Sequence, residues 1–225
     1  MRDKFTVAID GPVGSGKGTL AVALSKKLNV LYIYTGGMYR ALTLKCMREG
    51  VDISNEEAVL KVLNNTKVEL GPTEYTTKVI LDGKDVSSEI FSQEVANKTP
   101  IVASHERVRK EMVSRQQELI ENAKAIVEGR DIASDVSPDA DLKIYLTADL
   151  ETRARRRLSQ LEKRGINISL KEVKKEIESR DKKDIERAVS PLIIVGDAIV
   201  IDTTNDTIEQ TVEKVESKLR EKGLI

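Results

Sequence analysis

The amino-acid sequence predicts an α/β fold in which a mainly parallel sheet is flanked by helices. Three observations carry that prediction. Short, near-continuously apolar blocks recur along the chain, helical periodicities lie between them, and a glycine-rich run joins the first block to the first helix. Phe5 to Asp10 is the first strand block. Leu20, Ala23, Leu24 and Leu28 then share one helical face, and Val30 to Tyr34 returns to a strand pattern. Ala125 to Glu128, Leu142 to Leu146 and Ala198 to Ile201 complete the strand set. Blocks this apolar suit strands covered on both faces, as parallel strands are. Helical patterns occupy Glu106 to Asn122, Leu150 to Lys163, Leu170 to Arg187 and Thr207 to Lys222.

Two stretches break the alternation. The first, about 52–99, contains Lys67-Val-Glu-Leu70 and Lys78-Val-Ile-Leu81, the latter followed by the turn dipeptide Asp82-Gly83. It predicts a small antiparallel-sheet subdomain inserted into the core. The second, about 153–187, is densely charged and predicts a mobile helical arm. The chain is thus read as a single unit: a core of about 1–51, 100–152 and 188–225, with two flaps on it.

Composition narrows the function. The 37 Lys and Arg residues balance 37 Asp and Glu, which argues against a generic nucleic-acid binder. Aromatic residues make up only 3% and there is no Trp, so a base-stacking platform for single strands is disfavoured. One Cys and one His allow neither an internal disulfide nor a His/Cys zinc site. No apolar run nears the ~20 residues of a membrane span, and Met1 to Asp10 is too short in apolar residues for a signal peptide. The expectation is a cytoplasmic protein without membrane or nucleic-acid partners.

Gly11-Pro12-Val13-Gly14-Ser15-Gly16-Lys17-Gly18-Thr19 follows the first strand and opens the first helix, the context of a phosphate loop. Glycines let backbone N–H groups turn inward, the helix N-terminus adds positive potential, and Lys17 supplies a mobile cation. The sheet is therefore expected to be of the P-loop NTPase type, binding a nucleoside triphosphate. Gly18 stands where a hydroxyl residue usually ligates Mg²⁺. No side chain is expected to ligate the metal directly; phosphates and waters would hold it, with Thr19 free to serve a phosphate.

Phosphoryl transfer to a second nucleotide needs cations around the moving group and a second phosphate site. Thr35-Gly-Gly-Met-Tyr-Arg40 after the second strand fits a monophosphate held by a backbone turn and a guanidinium. Gly129-Arg130-Asp131 ends a core strand, where ligands bind in open α/β sheets. Further arginines lie in the charged arm, at 153–157, Arg180 and Arg187.

These pieces resemble the bacterial-type cytidylate kinases, of the nucleoside monophosphate kinase family. The matching segments are Ile9-Asp-Gly-Pro through Lys-Gly-Thr19, Tyr34 to Arg40, Val79 to Ile90, Glu94 to Asn97, Arg107-Val-Arg109, Gly129 to Asp131, Pro138 to Ala140, Lys143 to Ala148, Arg180-Asp181 through Arg187, and Ser190-Pro-Leu192. The resemblance spans about 5–204. It implies phosphorylation of CMP and dCMP by ATP with Mg²⁺, in a monomer. The 52–99 insert would belong to the monophosphate-binding domain and the 153–187 arm would be the lid. Gly11 to Thr19 would hold ATP phosphates, joined by Arg153 and Arg157, whose helix equally fits a solvated face. Thr35, Arg40, Arg130 and Arg187 would hold the acceptor phosphate, Arg109 and Asp131 would meet the cytosine, and Asp184 with Arg180 would reach the ribose. Lys17, Arg130 and Arg187 would act in catalysis. Two departures stand out. Pro100 occupies a place where relatives often carry a small hydroxyl residue, and Ala133-Ser134 replaces the usual Gly-Thr.

Other readings stay open on the residues alone. They are a kinase for UMP, AMP or an alcohol, a nucleotide-dependent switch, and an RNA contact by the arginine-rich arm. Asp10 fits a water-mediated metal contact or a structural bond to the loop. His105 reads as a boundary residue and Cys46 as a small buried hydrophobe.

Overall fold

A computed structural model describes residues 4–72, 77–121 and 123–225. Five strands, β1 (Thr6–Asp10), β2 (Leu31–Tyr34), β6 (Ala125–Glu128), β7 (Leu142–Thr147) and β8 (Ile199–Asp202), form one parallel sheet in the order β2-β6-β1-β7-β8. The pleat sorts β1 between two apolar layers. Val7 and Ile9 pack with α1 (Lys17–Leu28) and α8 (Ile208–Glu221), while Ala8 turns to the opposite layer with Ile33, Val127 and Ile132. Both faces are covered, so all five residues of β1 are buried, including the polar Thr6 and Asp10 at its ends.

Three helices escaped the sequence reading: α2 (Thr35–Arg48), α3 (Glu56–Asn64) and α4 (Gln93–Val102). The Thr35 to Arg40 segment, expected to be a backbone turn, is instead the first turn and a half of α2. Its glycines serve packing: a Cβ on Gly37 would lie 2.6 Å from the Tyr34 ring. Pro100 sits inside α4, where Thr99 bonds back to the Val95 carbonyl at 2.6 Å. The boundary expected near residue 100 thus falls within a helix. α5 (Glu106–Ile120) ends short of Asn122, which lies outside the described residues.

The insert carries the antiparallel sheet β3 (Val68–Pro72), β4 (Thr77–Leu81) and β5 (Lys84–Asp85). Asp82 and Gly83 have φ of 48° and 81°, the paired positive angles that a tight hairpin turn demands. The arm is a helical pair, α6 (Leu150–Glu162) and α7 (Leu170–Glu186), with its own apolar seam of Ala154, Leu161, Val173 and Ile177. Asp149 and Ser169 cap the two N-termini, Ser169 in a reciprocal capping box with Glu172. Cys46 is buried in the α2–α3–α5 layer, and burial pushes its thiol up to about 11. His105 precedes α5 as a half-buried boundary residue, its Nε2 2.8 Å from the Ile53 carbonyl.

Candidate active site

The C-terminal edge of the sheet, the insert and the helical arm enclose a cleft of about 800 Å³. At one end lies the glycine-rich loop. Gly11, Gly14 and Gly16 all have positive φ, and α1 starts at Lys17. Gly11 admits no side chain, since a Cβ there would lie 2.0 Å from the Leu146 carbonyl oxygen. Ser15 donates from Oγ to the Pro12 carbonyl at 3.0 Å. Lys17 is buried, with Nζ donating to the Pro12 carbonyl at 2.7 Å and to Ser15 Oγ at 3.4 Å. Burial first, and then the Arg130 charge, push its ammonium down to about 7.

Val13 to Thr19 line the cleft; Gly11 and Pro12 stand behind it. The Val13 N–H donates to Asp181 of α7 at 3.2 Å, so an arm carboxylate already holds one of the loop donors. Arg153 is set back as well. Its guanidinium donates to the Ala148 and Val13 carbonyls and pairs with Asp181, which makes it a brace between arm and loop. Arg157, in contrast, lines the cleft; burial and the charges of Arg40 and Arg164 lower its pKa.

Every acceptor-side residue named from the sequence lines the far end. Thr35 donates to the Glu128 carbonyl at 2.7 Å, which ties α2 to the end of β6. Arg40 is buried and donates to the Ile90 carbonyl at 2.9 Å. Arg130 donates to Asp184 at 2.9 Å across 54 residues of sequence. Burial alone would raise the Asp184 carboxyl; Arg130, Arg180 and Arg187 outweigh it and hold the group below its ordinary value. Arg180 is half-buried among cations, its buried Nε without a hydrogen-bond partner, and desolvation with Arg130 and Arg40 pushes it down to about 10. That is the signature of a pocket wanting an anion.

Arg109 and Asp131 form a buried ion pair, with Arg187 Nη2 a further 3.6 Å from Asp131. Arg109 Nε, Arg187 Nη2 and the Tyr39 hydroxyl are buried around it without hydrogen-bond partners. Unsatisfied donors gathered on one carboxylate mark a polar ligand's place. Pro100 and Thr99 complete this wall, and Pro100 contributes no donor.

Asp10 makes structural bonds, though to the turn after β6 rather than to the phosphate loop. Its two carboxylate oxygens accept from the Ile132 and Ala133 N–H groups at 2.9 and 2.8 Å. Ile132–Val136 forms one turn of π-helix, and Ala133-Ser134 lies within it.

Tyr39, Glu128, Phe91 and Arg164 were missed by sequence reasoning, and all four line the cleft. Tyr39 sat inside a noted segment, and Glu128 is a charge ending an apolar strand beside Gly129-Arg-Asp; both signals were available. Phe91 and Arg164 meet only in three dimensions. Among the described residues no group of three or more His, Cys, Asp and Glu is placed to hold a metal ion, and no helix is long and apolar enough to cross a membrane.

The sequence model of the family described as cytidylate kinase matches residues 7–221. The chain belongs to that family. A cytidylate kinase from Oceanobacillus iheyensis is 46% identical over 215 residues, 96% of this chain and 94% of the relative. One from Bacillus cereus is 46% identical over 217 residues, covering 96% of each. Among solved structures, an uncharacterized protein from Eubacterium ventriosum shares the fold, with a TM-score of 0.53 at 12% identity over 97% of this chain and 99% of that one. Cytidylate kinase membership accounts for a cleft with a triphosphate loop at one end and a cationic pocket at the other.

Proposed function

We propose that this member of the cytidylate kinase family transfers the γ-phosphoryl group of ATP to CMP and dCMP by in-line displacement, yielding ADP and CDP or dCDP. One observation carries the reading. The phosphate loop, the arginines 40, 130, 180 and 187, and the Arg109–Asp131 pair line one continuous cleft. A nucleotide switch has no use for the second cationic pocket.

The acceptor phosphate is already largely ionised near neutral pH, so no strong general base is required. The protein's task is positioning and charge stabilisation. In the proposal the loop N–H groups and Lys17 hold the ATP phosphates, with Arg157 facing the transferred group. Thr35, Arg40, Arg130 and Arg187 hold the acceptor phosphate, and Asp184 and Arg180 lie toward its ribose. Lys17, Arg130 and Arg187 neutralise charge that builds on the phosphoryl oxygens. Closure of the arm excludes water and suppresses ATP hydrolysis. Asp131 accepts from the exocyclic amine of cytosine, and Arg109 donates to its O2 or N3. Uracil carries a carbonyl there and would confront the carboxylate unfavourably.

The residues present fit a hydrated Mg²⁺. The Glu128 carboxylate lies 3.5 Å from where a Gly18 Cβ would be, beside the Tyr32 hydroxyl, so it faces the position of the absent hydroxyl ligand. Glu128 would hold a metal-bound water, and Mg²⁺ would neutralise charge on the β- and γ-phosphates.

The test is initial ADP formation with ATP and Mg²⁺ and, separately, CMP, dCMP, UMP, AMP or no acceptor. Strong turnover with CMP and dCMP and little with the rest is expected. Equal use of all four acceptors, or equal ADP formation without one, would overturn the reading.

A further inference from the structure

Beyond the water-mediated metal contact left open by the sequence, Asp10 has no role in the phosphoryl-transfer reading. It is the last residue of β1, directly before Gly11, and is 3% exposed. A buried carboxylate is costly unless it is hydrogen-bonded. Here both oxygens are used, one on the Ile132 N–H and one on the Ala133 N–H. These are the two residues that follow Arg130 and Asp131. The Gly129 N–H, just before them, is held by the Ile9 carbonyl at 3.0 Å. Five consecutive residues, 129–133, are thus pinned at both ends by Ile9 and Asp10. The π-turn that begins there would otherwise leave its first N–H groups unpaired in a buried position.

We propose that Asp10 is a positioning residue for acceptor recognition: by holding the Ile132 and Ala133 N–H groups it fixes the direction in which Arg130 and Asp131 project. Asp131 opens the π-turn, and its own carbonyl accepts from Asp135 and Val136 at 3.0 and 3.1 Å, so its backbone has no freedom once Asp10 is bound. Its side chain meets Arg109 from α5, and Arg130 meets Asp184 from α7. Neither pair forms unless the 130–131 backbone stands at the right angle. Asp10 thereby ties the acceptor-side turn to the end of β1, the strand that leads into the phosphate loop. Misplacement of about 1 Å at such a site is enough to cost up to about a hundredfold in rate.

The inference rests on the reading of Asp131 as the base-contacting group, and the experiment separates the two. Asp10→Asn keeps size and one acceptor but turns an NH₂ group onto the second N–H. Asp131→Asn alters the base contact itself. For both variants and the native protein, kcat and KM are measured for CMP, UMP and ATP, together with Tm. Asp10→Asn is expected to lower kcat/KM for CMP about tenfold or more and to shrink the CMP-to-UMP ratio, with the KM for ATP within about twofold. An unchanged CMP-to-UMP ratio in Asp10→Asn, beside a collapsed ratio in Asp131→Asn, would overturn the positioning role. So would parallel loss of ATP and CMP affinity with a lowered Tm, which is what a merely structural role gives. If Asp131→Asn leaves the ratio intact, the base-contact reading fails instead. Should Asp10→Asn not fold, Asp10→Ser, with one shorter acceptor, is read in the same way.

Discussion

The Arg164 guanidinium lies 4.3 Å from the centroid of the Phe91 ring. Arg164 belongs to the turn between α6 and α7, and Phe91 to the short 3-10 turn Glu89–Phe91 of the insert, so the two flaps meet across the cleft mouth. Tyr34 stacks on the same ring at 6.1 Å, and the Arg40 guanidinium lies 5.5 Å from it. Phe91 is thereby a shared platform for the arm and the acceptor pocket.

A cation–π contact of this kind is worth about 0.5–2 kcal/mol. Arg164→Ala should shift the balance between closed and open arm by a factor of about 2–30. The expected readout is a raised KM for both substrates and, without acceptor, faster hydrolysis of ATP to ADP and phosphate. Phe91→Leu should do the same and also disturb Arg40. A double-mutant cycle isolates the pair, and additive effects would show that the contact carries no coupling.

Lys17 makes a pH prediction with a definite sign. Burial and Arg130 lower its pKa to about 7. Bound phosphates restore the opposing charge that burial removes and raise it again. At pH 8 the free protein therefore holds Lys17 largely neutral and the ATP complex holds it charged, so binding takes up to about one proton. At pH 6 it is charged in both states and this uptake vanishes. Calorimetry of Mg·ATP binding in buffers of different ionisation enthalpy reads the difference. Lys17→Ala should abolish the uptake at pH 8 and lower turnover by about two orders of magnitude or more, with the fold intact. Equal uptake in Lys17→Ala would assign it to another group.

What the sequence disclosed divides along local and long-range lines. The strands and the phosphate loop were legible because their signals are contiguous: apolar runs, a glycine spacing, a strand before and a helix after. Helix α2 was not, because Gly36 and Gly37 argue locally for a turn. The reason for them is the Tyr34 ring packed against their backbone. Helix α4 was hidden by Pro100, whose missing N–H is tolerated within it. The arginines that the sequence singled out for the acceptor all line the cleft. Ion pairing of Arg130 and Asp131 was open from the sequence, but the partners were not identified: Arg130 pairs with Asp184 and Asp131 with Arg109, separated by 54 and 22 residues. No periodicity reports such pairs. Arg153 shows the converse, a motif residue whose guanidinium is committed to Val13, Ala148 and Asp181.

Gly11 offers a backbone test of the loop. Its φ of 146° is strained for any side chain, and a Cβ would lie 2.0 Å from a backbone oxygen of β7 that cannot step aside. Gly11→Ala should cost about 3 kcal/mol or more, a fall in Tm of roughly 6–12 °C. Gly50 has φ of 66° but nothing within 4 Å. Gly50→Ala should cost only about 1–2 kcal/mol, the left-handed strain alone. Thermal unfolding of both variants checks the ordering, and equal losses would show that the contact with Leu146 is relieved by movement of the strand.

Arg153 and Arg157 are one helical turn apart on α6 and should behave oppositely. Arg153 has a carboxylate partner and two carbonyls, so Arg153→Gln removes a half-buried brace and leaves Asp181 uncompensated. A loss of about 1–3 kcal/mol in stability is expected, with loop geometry and ATP binding affected through it. Arg157 faces Arg40 and Arg164, and its charge is opposed by burial as well as by those neighbours, with Glu176 and Tyr34 giving only partial relief. Arg157→Gln therefore removes repulsion: Tm should hold or rise. On the proposed mechanism the same substitution also takes a cation from beside the transferred phosphoryl group, and kcat should fall about tenfold or more. Stability and turnover then move in opposite directions at one residue, as expected where a site stores like charges to meet an anion. Inorganic phosphate or pyrophosphate should stabilise the native protein more than Arg157→Gln in the same unfolding assay. The reverse pattern, with Arg157→Gln unfolding early at full activity and Arg153→Gln stable but slow, would exchange the roles of the two arginines.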